Sequence, residues 1–168
     1  MTTIRLAQDA DLPFLAAIED AGDALFTERF GELDWPPASS GEERAAEPGI
    51  LLVAVDDDGT VVGFSHVLDL RGKWHLEQIA VDPAHGRRGI GAALLDSTHR
   101  ELVERGAPEV TLMTYADVPW NAPFYARHGY VELDPLPPHL VELRAAEQRM
   151  GLQAHGRRVA MVRHLTGS

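Results

Sequence analysis

The chain has 168 residues, of which 45% are hydrophobic and 24% charged, and its formal net charge at pH 7 is −11. These values are ordinary for one globular domain of about this size, and they exclude a disordered or fibrous chain. The acidic balance argues against nucleic acid as a partner, because that binding rests on a basic face.

The sequence contains no cysteine, which excludes disulfides, thiolate metal sites and a cysteine acyl-enzyme. It has no run of about eighteen apolar residues, and its first residues lack the basic-then-apolar pattern of a signal peptide. We therefore expect a cytoplasmic protein with no membrane partner. The eight histidines are scattered without ligand spacing, so we predict no metal site.

The first third of the chain predicts a strand and two helices. Residues 3–6 alternate polar and apolar, which is typical of a short strand. Apolar residues then recur at helical spacing as far as Gly31, with Asp9 or Asp11 as the expected cap. Ser40 and Glu43 have the spacing of a capping box and predict the start of a second helix.

Three antiparallel strands are predicted next. The apolar runs 50–55 and 60–70 are joined by Asp-Asp-Asp-Gly, which is a hairpin turn by residue type. Arg71-Gly72-Lys73 forms a second turn into a strand over 74–81. Because side chains alternate along a strand, His75, Glu77, Ile79 and Val81 are predicted to share one face.

A Gly-rich turn and a helix follow that strand, in the segment VDPAHGRRGIGAALL that ends at Leu95. Gly89 and Gly91 leave no side chain between the main chain and a ligand, and the first helical turn has free amides. Arg87 and Arg88 add positive charge, so the segment predicts a site for a diphosphate. The alternative interpretation is a Gly-rich turn with two solvated arginines.

The rest of the chain predicts further helices and strands. The helix from Ile90 ends at Gly106, and residues 109–114 form the next strand, parallel to 74–81 through a right-handed crossover. Asn121 is expected to cap a short helix that Gly129 ends. Residues 140–150 predict a helix and 158–165 a final strand.

Two segments carry a family resemblance. VDPAHGRRGIGAALL resembles the acetyl-coenzyme A loop of the GNAT superfamily of N-acetyltransferases, although Gly86 stands where the family most often has Gln or Arg. PWNAPFYARHGY resembles the second motif of that family, with Tyr125 and Tyr130 in matching positions. Val118 stands where the family has an Asn that contacts the cofactor, a contact that is absent here or supplied by Asn121.

The resemblance implies one domain over residues 1–168 with an α/β fold of the α+β type. The expected sheet is mixed and mostly antiparallel, has six or seven strands, and is splayed between the fourth and fifth, with helices on both faces. The resemblance also implies transfer of an acetyl group from acetyl-coenzyme A to a primary amine by direct attack. The acceptor is a small cationic amine or a protein N-terminus, and a homodimer is consistent with family analogy alone. The alternative is a catalytically silent GNAT domain that binds an acyl-coenzyme A.

By the same resemblance, Glu77 is the predicted base, His75 its helper or substitute, and Tyr125 the acid that protonates the coenzyme A thiolate. The predicted cofactor contacts are main-chain and side-chain groups of Ile79, Ala80, Val81, Arg87, Arg88, Gly89, Ile90, Gly91, Ala92, Asn121 and Tyr125. Phe26, Phe30 and Trp35 either line the acceptor site or are core aromatics. Glu19 either binds the amine or faces water, and His66 either touches the acceptor or lies in the core.

Overall fold

Seven strands form one mixed sheet at the centre of the computed structural model, which describes residues 2–31, 37–86 and 88–165. The strands are β1 (Thr3–Leu6), β2 (Gly49–Val55), β3 (Val61–Leu70), β4 (Lys73–Val81), β5 (Glu109–Tyr115), β6 (Val131–Glu132) and β7 (Arg158–His164). Their spatial order is β1-β2-β3-β4-β5-β7-β6, and all neighbours are antiparallel except β4 and β5. The predicted mixed, mostly antiparallel sheet is confirmed.

Within the described residues, five α-helices lie on the two faces of this sheet. They are α1 (Leu15–Phe30), α2 (Gly41–Ala46), α3 (Ile90–Glu104), α4 (Ala122–Arg127) and α5 (Pro138–Arg149). One face packs against α3 and α4 through a cluster that includes Leu76, Leu95 and Leu112. The other carries α1, whose Leu15 and Ile18 pack on Phe64. Helix α5 lies on that second face too, since its Glu147 pairs with Arg158 of β7.

The turns and one predicted cap are confirmed. Gly59 and the Arg71-Gly72 pair adopt the positive φ angles that tight hairpin turns require. At the start of α2, the Glu43 N–H donates to Ser40 Oγ at 3.0 Å and the Ser40 N–H donates to Glu43 Oε1 at 3.2 Å. A Cβ at Gly41 would collide with the Leu12 carbonyl, so the first turn of α2 can pack this closely only with glycine there.

The predicted cap of the first helix is wrong. Residues Asp9–Phe14 form a separate 3-10 turn, and α1 begins only at Leu15. Asp11 is buried, accepts a hydrogen bond from the Gln8 N–H at 2.7 Å and pairs with Arg5 at 2.7 Å. The carboxylate therefore satisfies the entry of the 3-10 turn and ties it to β1, which explains why an acid stands there without capping α1.

A buried polar chain joins α3 to β7 beneath the sheet. Arg163 donates to His99 Nδ1 at 2.8 Å, and His99 Nε2 lies 2.8 Å from the Tyr130 hydroxyl. Because a guanidinium can only donate, His99 Nδ1 accepts and the imidazole proton lies on Nε2. Burial, with the charge of Arg163, lowers the pKa of His99 to about 4, so the ring is neutral.

The buried, neutral His99 should make the free energy of unfolding sensitive to acid, and replacing His99 should reduce this sensitivity. Below the unfolded histidine pKa of 6.5 the unfolded state takes up a proton that the folded state refuses until about pH 4. Folding stability is therefore complete above pH 6.5 and falls as the pH drops through this window. Between pH 7.5 and pH 5 the wild type should lose about 2 kcal/mol more free energy of unfolding than His99→Gln. Urea unfolding at the two pH values measures this, and equal losses in both proteins would contradict it.

Candidate active site

A gap opens between the two parallel strands in the middle of the sheet. Strands β4 and β5 are paired only at His75 and Thr111, whereas β4 remains paired with β3 as far as Val81. Beyond His75, the main-chain groups of β4 that point toward β5 have no ladder partner in the described sheet. The predicted splay between the fourth and fifth strands is thus confirmed, and residues 79–81 border it.

A β-bulge at Glu77 interrupts β4 next to this gap. His66 of β3 pairs with Gln78 and Val67 pairs with Leu76, which leaves Glu77 as the extra residue. Before the bulge, His75 shares the α1 and α2 face with its partner Leu68. After it, Ile79 and Val81 pack with Ile90 and Leu94 of α3. The prediction that all four odd-numbered residues share a face is therefore wrong for Ile79 and Val81, because the extra residue reverses the alternation.

Glu77 lies on the same side as α1 and α2, as its charged neighbours indicate. Burial raises its pKa to about 7; Arg44 opposes this, whereas Glu47, Glu19 and Glu147 raise the pKa further. The side chain is nevertheless open to solvent through the cleft. Protein atoms around the carboxyl group disfavour its charged form, which accounts for the raised pKa. Glu77 is thus an ionisable carboxyl that titrates near neutral pH.

His75 has a different environment, although it shares the strand. It is 3% exposed, and its Nδ1 lies 2.9 Å from the Thr111 hydroxyl at the one point where β4 and β5 meet. Burial, with a contribution from His139, lowers its pKa to about 4. The ring is neutral at physiological pH and fastens the two strands together where the gap begins.

A buried arginine connects α2 with α1 and β3. Arg44 is 5% exposed; it forms a close ion pair with Glu19 and donates to His66 Nδ1 at 2.8 Å. Its guanidinium also lies 5.3 Å from the centre of the Phe64 ring. Glu19 therefore has a protein partner, and His66 is a core histidine, 1% exposed, with its proton held on Nε2.

A second acid stands one helical turn after Glu19. Burial raises the pKa of Asp23 to about 6, and the charges of Glu19 and Asp20 add to the shift. Residues four apart in a helix lie on the same side, so Asp23 extends the line that Glu19 begins. The carboxyl side chains on this part of α1 thus carry less negative charge near neutral pH than acids in water.

The aromatic residues of α1 form a cluster with the end of β5. Phe26 lies 5.9 Å from Tyr115 and 5.5 Å from Trp120, and Phe30 lies 5.8 Å from Tyr115, between ring centres. Tyr115 also donates through its hydroxyl to the Leu152 carbonyl at 2.9 Å. The half-buried rings of Phe26 and Phe30 therefore pack α1 against the end of β5. Trp35, predicted beside them, lies outside the described residues.

The Gly-rich segment forms the open start of helix α3, next to Val81 at the end of β4. Gly89 adopts a left-handed conformation, with φ of 73°, as the N-cap of α3. The Ala93 N–H closes onto the Gly89 carbonyl at 3.0 Å, which leaves the amides of Ile90, Gly91 and Ala92 at the open end. A cavity of about 720 Å³ lies in front of Gly89 and Ile90. These are the positions that the sequence predicts for a diphosphate.

The basic side chains described in this segment lie beside a carboxylate. Arg88 forms a 3.2 Å ion pair with Asp56, which belongs to the β2–β3 turn, and His85 Nδ1 lies 3.7 Å from the same carboxylate. Asp56 and its neighbours Asp57 and Asp58 line one side of the cavity. Arg87 lies outside the described residues. An acidic turn thus faces a site suited to an anion.

Helix α4 forms the far side of the gap. Tyr125 is half-buried and packs edge-on against Tyr130, with ring centres 5.6 Å apart. Burial raises the pKa of Tyr125 to about 12, so its hydroxyl keeps its proton. Asn121 is the N-cap residue of α4, but the prediction that its side chain caps the helix is wrong, because Oδ1 accepts from the Tyr115 N–H at 3.3 Å instead. Val118 is buried in the core.

Arg44 and Asp23 lie among the candidate site residues but were not predicted from the sequence. Asp23 had a readable signal, because it follows Glu19 at helical spacing on the side that continues to Phe26. No signal in the sequence indicated Arg44, because a six-residue helix with three charged side chains is expected to be exposed.

The described residues contain no group of three or more histidines, aspartates or glutamates arranged to hold a metal ion. Among them, no helix has the length and apolar character needed to cross a membrane.

Comparison with known proteins identifies relatives of both the sequence and the fold. A family model described as an acetyltransferase (GNAT) domain matches residues 47–132, which include β4, the Gly-rich segment and α4. Mycothiol acetyltransferase of Clavibacter michiganensis subsp. michiganensis is 38% identical over 89 residues, or 51% of this chain. The match covers 28% of that relative, so the chain spans only about a quarter of its length.

Two solved structures share the fold over nearly all of both chains. The ribosomal-protein-S18-alanine N-acetyltransferase from Escherichia coli has a TM-score of 0.69 at 23% identity, covering 100% of this chain and 96% of that one. The PaiA N-acetyltransferase from Thermoplasma acidophilum, in complex with coenzyme A, has a TM-score of 0.65 at 16% identity, covering 98% and 99%. At these identities the likeness establishes the architecture alone.

Proposed function

The chain belongs to the GNAT acetyltransferase family, and from this we propose that it transfers an acetyl group from acetyl-coenzyme A to a primary amine by direct attack. The observation that carries the proposal is that two features lie along the splayed part of β4 and the segment that follows it. Open helix amides at Ile90, Gly91 and Ala92 suit a diphosphate, and the bulged Glu77 suits a proton acceptor. Acetyl-coenzyme A supplies an activated thioester, and this chain supplies binding, orientation and proton transfer.

The start of α3 would hold the diphosphate of acetyl-coenzyme A. Main-chain amides with the positive end of a helix dipole favour an anion there, and Gly89 and Gly91 keep side chains out of the approach. Arg88 is close enough to exchange its partner Asp56 for a phosphate oxygen. The unpaired main-chain edge at residues 79–81 would bind the pantetheine arm and donate to the thioester carbonyl, where negative charge develops.

Glu77 would accept the proton of the incoming ammonium group. A lysine-like amine with a pKa near 10.4 needs about 4–5 kcal/mol to lose its proton at neutral pH, whereas an α-amine needs about 1 kcal/mol. A carboxylate that titrates at about 7 is a far better acceptor than an ordinary glutamate. His75 is a weaker candidate, because its pKa of about 4 and its contact with Thr111 favour a role in holding β4 to β5.

Tyr125 would return a proton to the departing thiolate. Its pKa of about 12 keeps the hydroxyl protonated until the sulfur acquires charge. Asn121 would contribute to the cofactor contacts on the α4 side of the gap, because it lies between β5 and α4. Its Oδ1 already accepts a hydrogen bond from the Tyr115 N–H.

The acceptor would enter beside α1 as a small cationic amine or a protein N-terminus. Support comes from the acids Asp23 and Glu77 and from the rings of Phe26 and Phe30, whereas Glu19 is occupied by Arg44. The named relatives include one enzyme of mycothiol and one that modifies an alanine of a ribosomal protein, so both acceptor classes occur among proteins of this kind.

Release of coenzyme A thiol from acetyl-coenzyme A over a panel of small amines and peptides tests the proposal. Amine-dependent release is the expected result. Tight binding of coenzyme A with no release for any amine would instead favour a silent acyl-coenzyme A-binding domain.

Glu77→Gln should remove the acid limb of the pH profile. In the wild type, kcat/KM should rise with pH through about 7, because only the ionised carboxyl accepts a proton. The variant should lose about 10²- to 10⁴-fold in kcat/KM at pH 7.5. Glu47→Gln, which removes a neighbouring charge without touching the base, is the matched control and should keep the limb. A Glu77→Gln profile like that of the wild type excludes the base role.

Tyr125→Phe should lower kcat by about 10²-fold or more while the Kd for coenzyme A changes little, because only a proton donor is lost. Tyr130→Phe serves as the control, since its hydroxyl is bound to His99 and should affect stability instead. Turnover and calorimetric binding separate the two effects, and unchanged kcat in Tyr125→Phe removes the acid role.

Asp56→Asn should strengthen coenzyme A binding by about two- to fivefold, because it frees Arg88 from a competing carboxylate. Asp58→Asn removes the same charge from the same turn but not the ion pair, so it should have the smaller effect. Calorimetric titration at one salt concentration compares them, and equal gains would assign the effect to net charge alone.

A further inference from the structure

Arg44 is a buried cation that the proposed mechanism does not use. Its guanidinium contacts Glu19 of α1 and His66 of β3, and it lies against the ring of Phe64. One side chain of the short helix α2 therefore touches α1 and the sheet together. Its Nε is buried and has no hydrogen-bond partner among the described residues.

A contribution to fold stability does not by itself explain a buried arginine at this position. Taking a guanidinium and a carboxylate out of water costs several kcal/mol for each ion, and well-packed apolar residues often replace a buried ion pair without loss. Arg44 has one carboxylate partner, and its other bond is to the neutral His66, whose pKa burial lowers to about 4. Joining α2 to the sheet in this way therefore costs more free energy than apolar packing would.

Arg44 contacts the sheet next to the β-bulge at Glu77. His66, the strand residue that it binds, pairs with Gln78 directly beside the bulge that carries Glu77. Cross-strand neighbours in a sheet have Cβ atoms about 4.5–5.5 Å apart. The ion pair and the hydrogen bond of Arg44 thus fasten the α1–α2 wall to the strand pair that presents Glu77.

The charges around Glu77 make Arg44 distinctive. The anions acting on it are Glu19 of α1, Glu47 at the end of α2 and Glu147 of α5, and Arg44 is the one cation among the described groups acting on it. On the strands, His66 and His75 are neutral. Three negative groups therefore oppose ionisation of the carboxyl, and one positive group favours it.

We propose that Arg44 is a positioning residue for acetyl transfer, which holds the α1–α2 wall against the Glu77 bulge and supplies the cation that favours ionisation of this carboxyl. The inference rests on the proposed role of Glu77 as base. Arg44 acts on the reaction only through Glu77, Glu19 and His66.

Two substitutions should move the acid limb of kcat/KM in opposite directions. Arg44→Met removes the cation and should shift the midpoint upward by about one pH unit. Glu19→Gln leaves the arginine without its counter-charge and should shift the midpoint downward. Arg44→Lys retains a positive charge and should return the midpoint toward the wild-type value, although the forked contact to Glu19 and His66 is lost. A purely structural role would lower activity in all three without moving the midpoint.

Arg5→Met is the matched control, because it also breaks an arginine–carboxylate ion pair, here with Asp11, but lies outside the groups acting on Glu77. Its midpoint should equal that of the wild type. Thermal unfolding shows which variants are folded. If Arg44→Met does not fold, Arg44→Lys and Glu19→Gln decide alone: an unmoved or raised midpoint in Glu19→Gln overturns the proposal.

A carboxyl ¹³C titration of the protein without substrate separates this inference from the proposed function. The Glu77 signal, identified by its loss in Glu77→Gln, should shift its midpoint in Arg44→Met and Glu19→Gln in the same directions as the kinetic limb. Such shifts in a protein that transfers no acetyl group would remove the function and keep only the electrostatic coupling between Arg44 and Glu77. A Glu77 midpoint unchanged in both variants would overturn the inference whatever the activity.

Discussion

The one pair of residues that joins β4 to β5 governs the rest of the structure. His75 and Thr111 hold the two parallel strands together at a single position; beyond it the main-chain groups of β4 that face β5 have no ladder partner in the described sheet, whereas the Tyr115 N–H at the end of β5 donates to Asn121 Oδ1. Unpaired groups inside a sheet are costly unless a partner supplies the missing bonds. The fold therefore contains an internal edge that an extended ligand can complete in the manner of an added strand. The bulge at Glu77 and the open end of α3 both act on that edge.

Electrostatics on the α1 side complement this backbone feature. Glu19, Asp23, Glu77 and Glu147 converge on one face of the sheet, and Arg44 stands among them. Burial and neighbouring negative charge raise the pKa values of Glu19, Asp23 and Glu77 above those of acids in water. The site thus combines proton acceptors that titrate near neutrality with a surface that favours positive charge, and both properties suit an amine that must arrive charged and react neutral.

Much of this could be read from the sequence because it depends on backbone requirements. The glycines at 59, 72 and 89 mark turns and a helix start that need positive φ, and Ser40 with Glu43 marks a helix start by side-chain chemistry. The bulge could not be read, because no residue type requires it, and so the faces of Ile79 and Val81 were inverted while His75 and Glu77 were correctly placed together. Burial of Arg44 depends on contacts with Glu19 and His66, 25 and 22 residues away, which no local pattern records. Asn121 shows the same limit, since its position was evident but a strand amide captured its side chain.

The ion pair between Arg88 and Asp56 has a consequence for how ionic strength acts on this protein. A diphosphate bound at the α3 terminus, as proposed, would displace a carboxylate that is already paired with Arg88, so one attraction would be exchanged for another. Dissolved salt weakens both attractions at once. Binding of an anion at the loop should therefore depend less on salt concentration than in a protein whose arginine is unpaired. The acidic turn thereby reduces the effect of ionic strength on the binding loop.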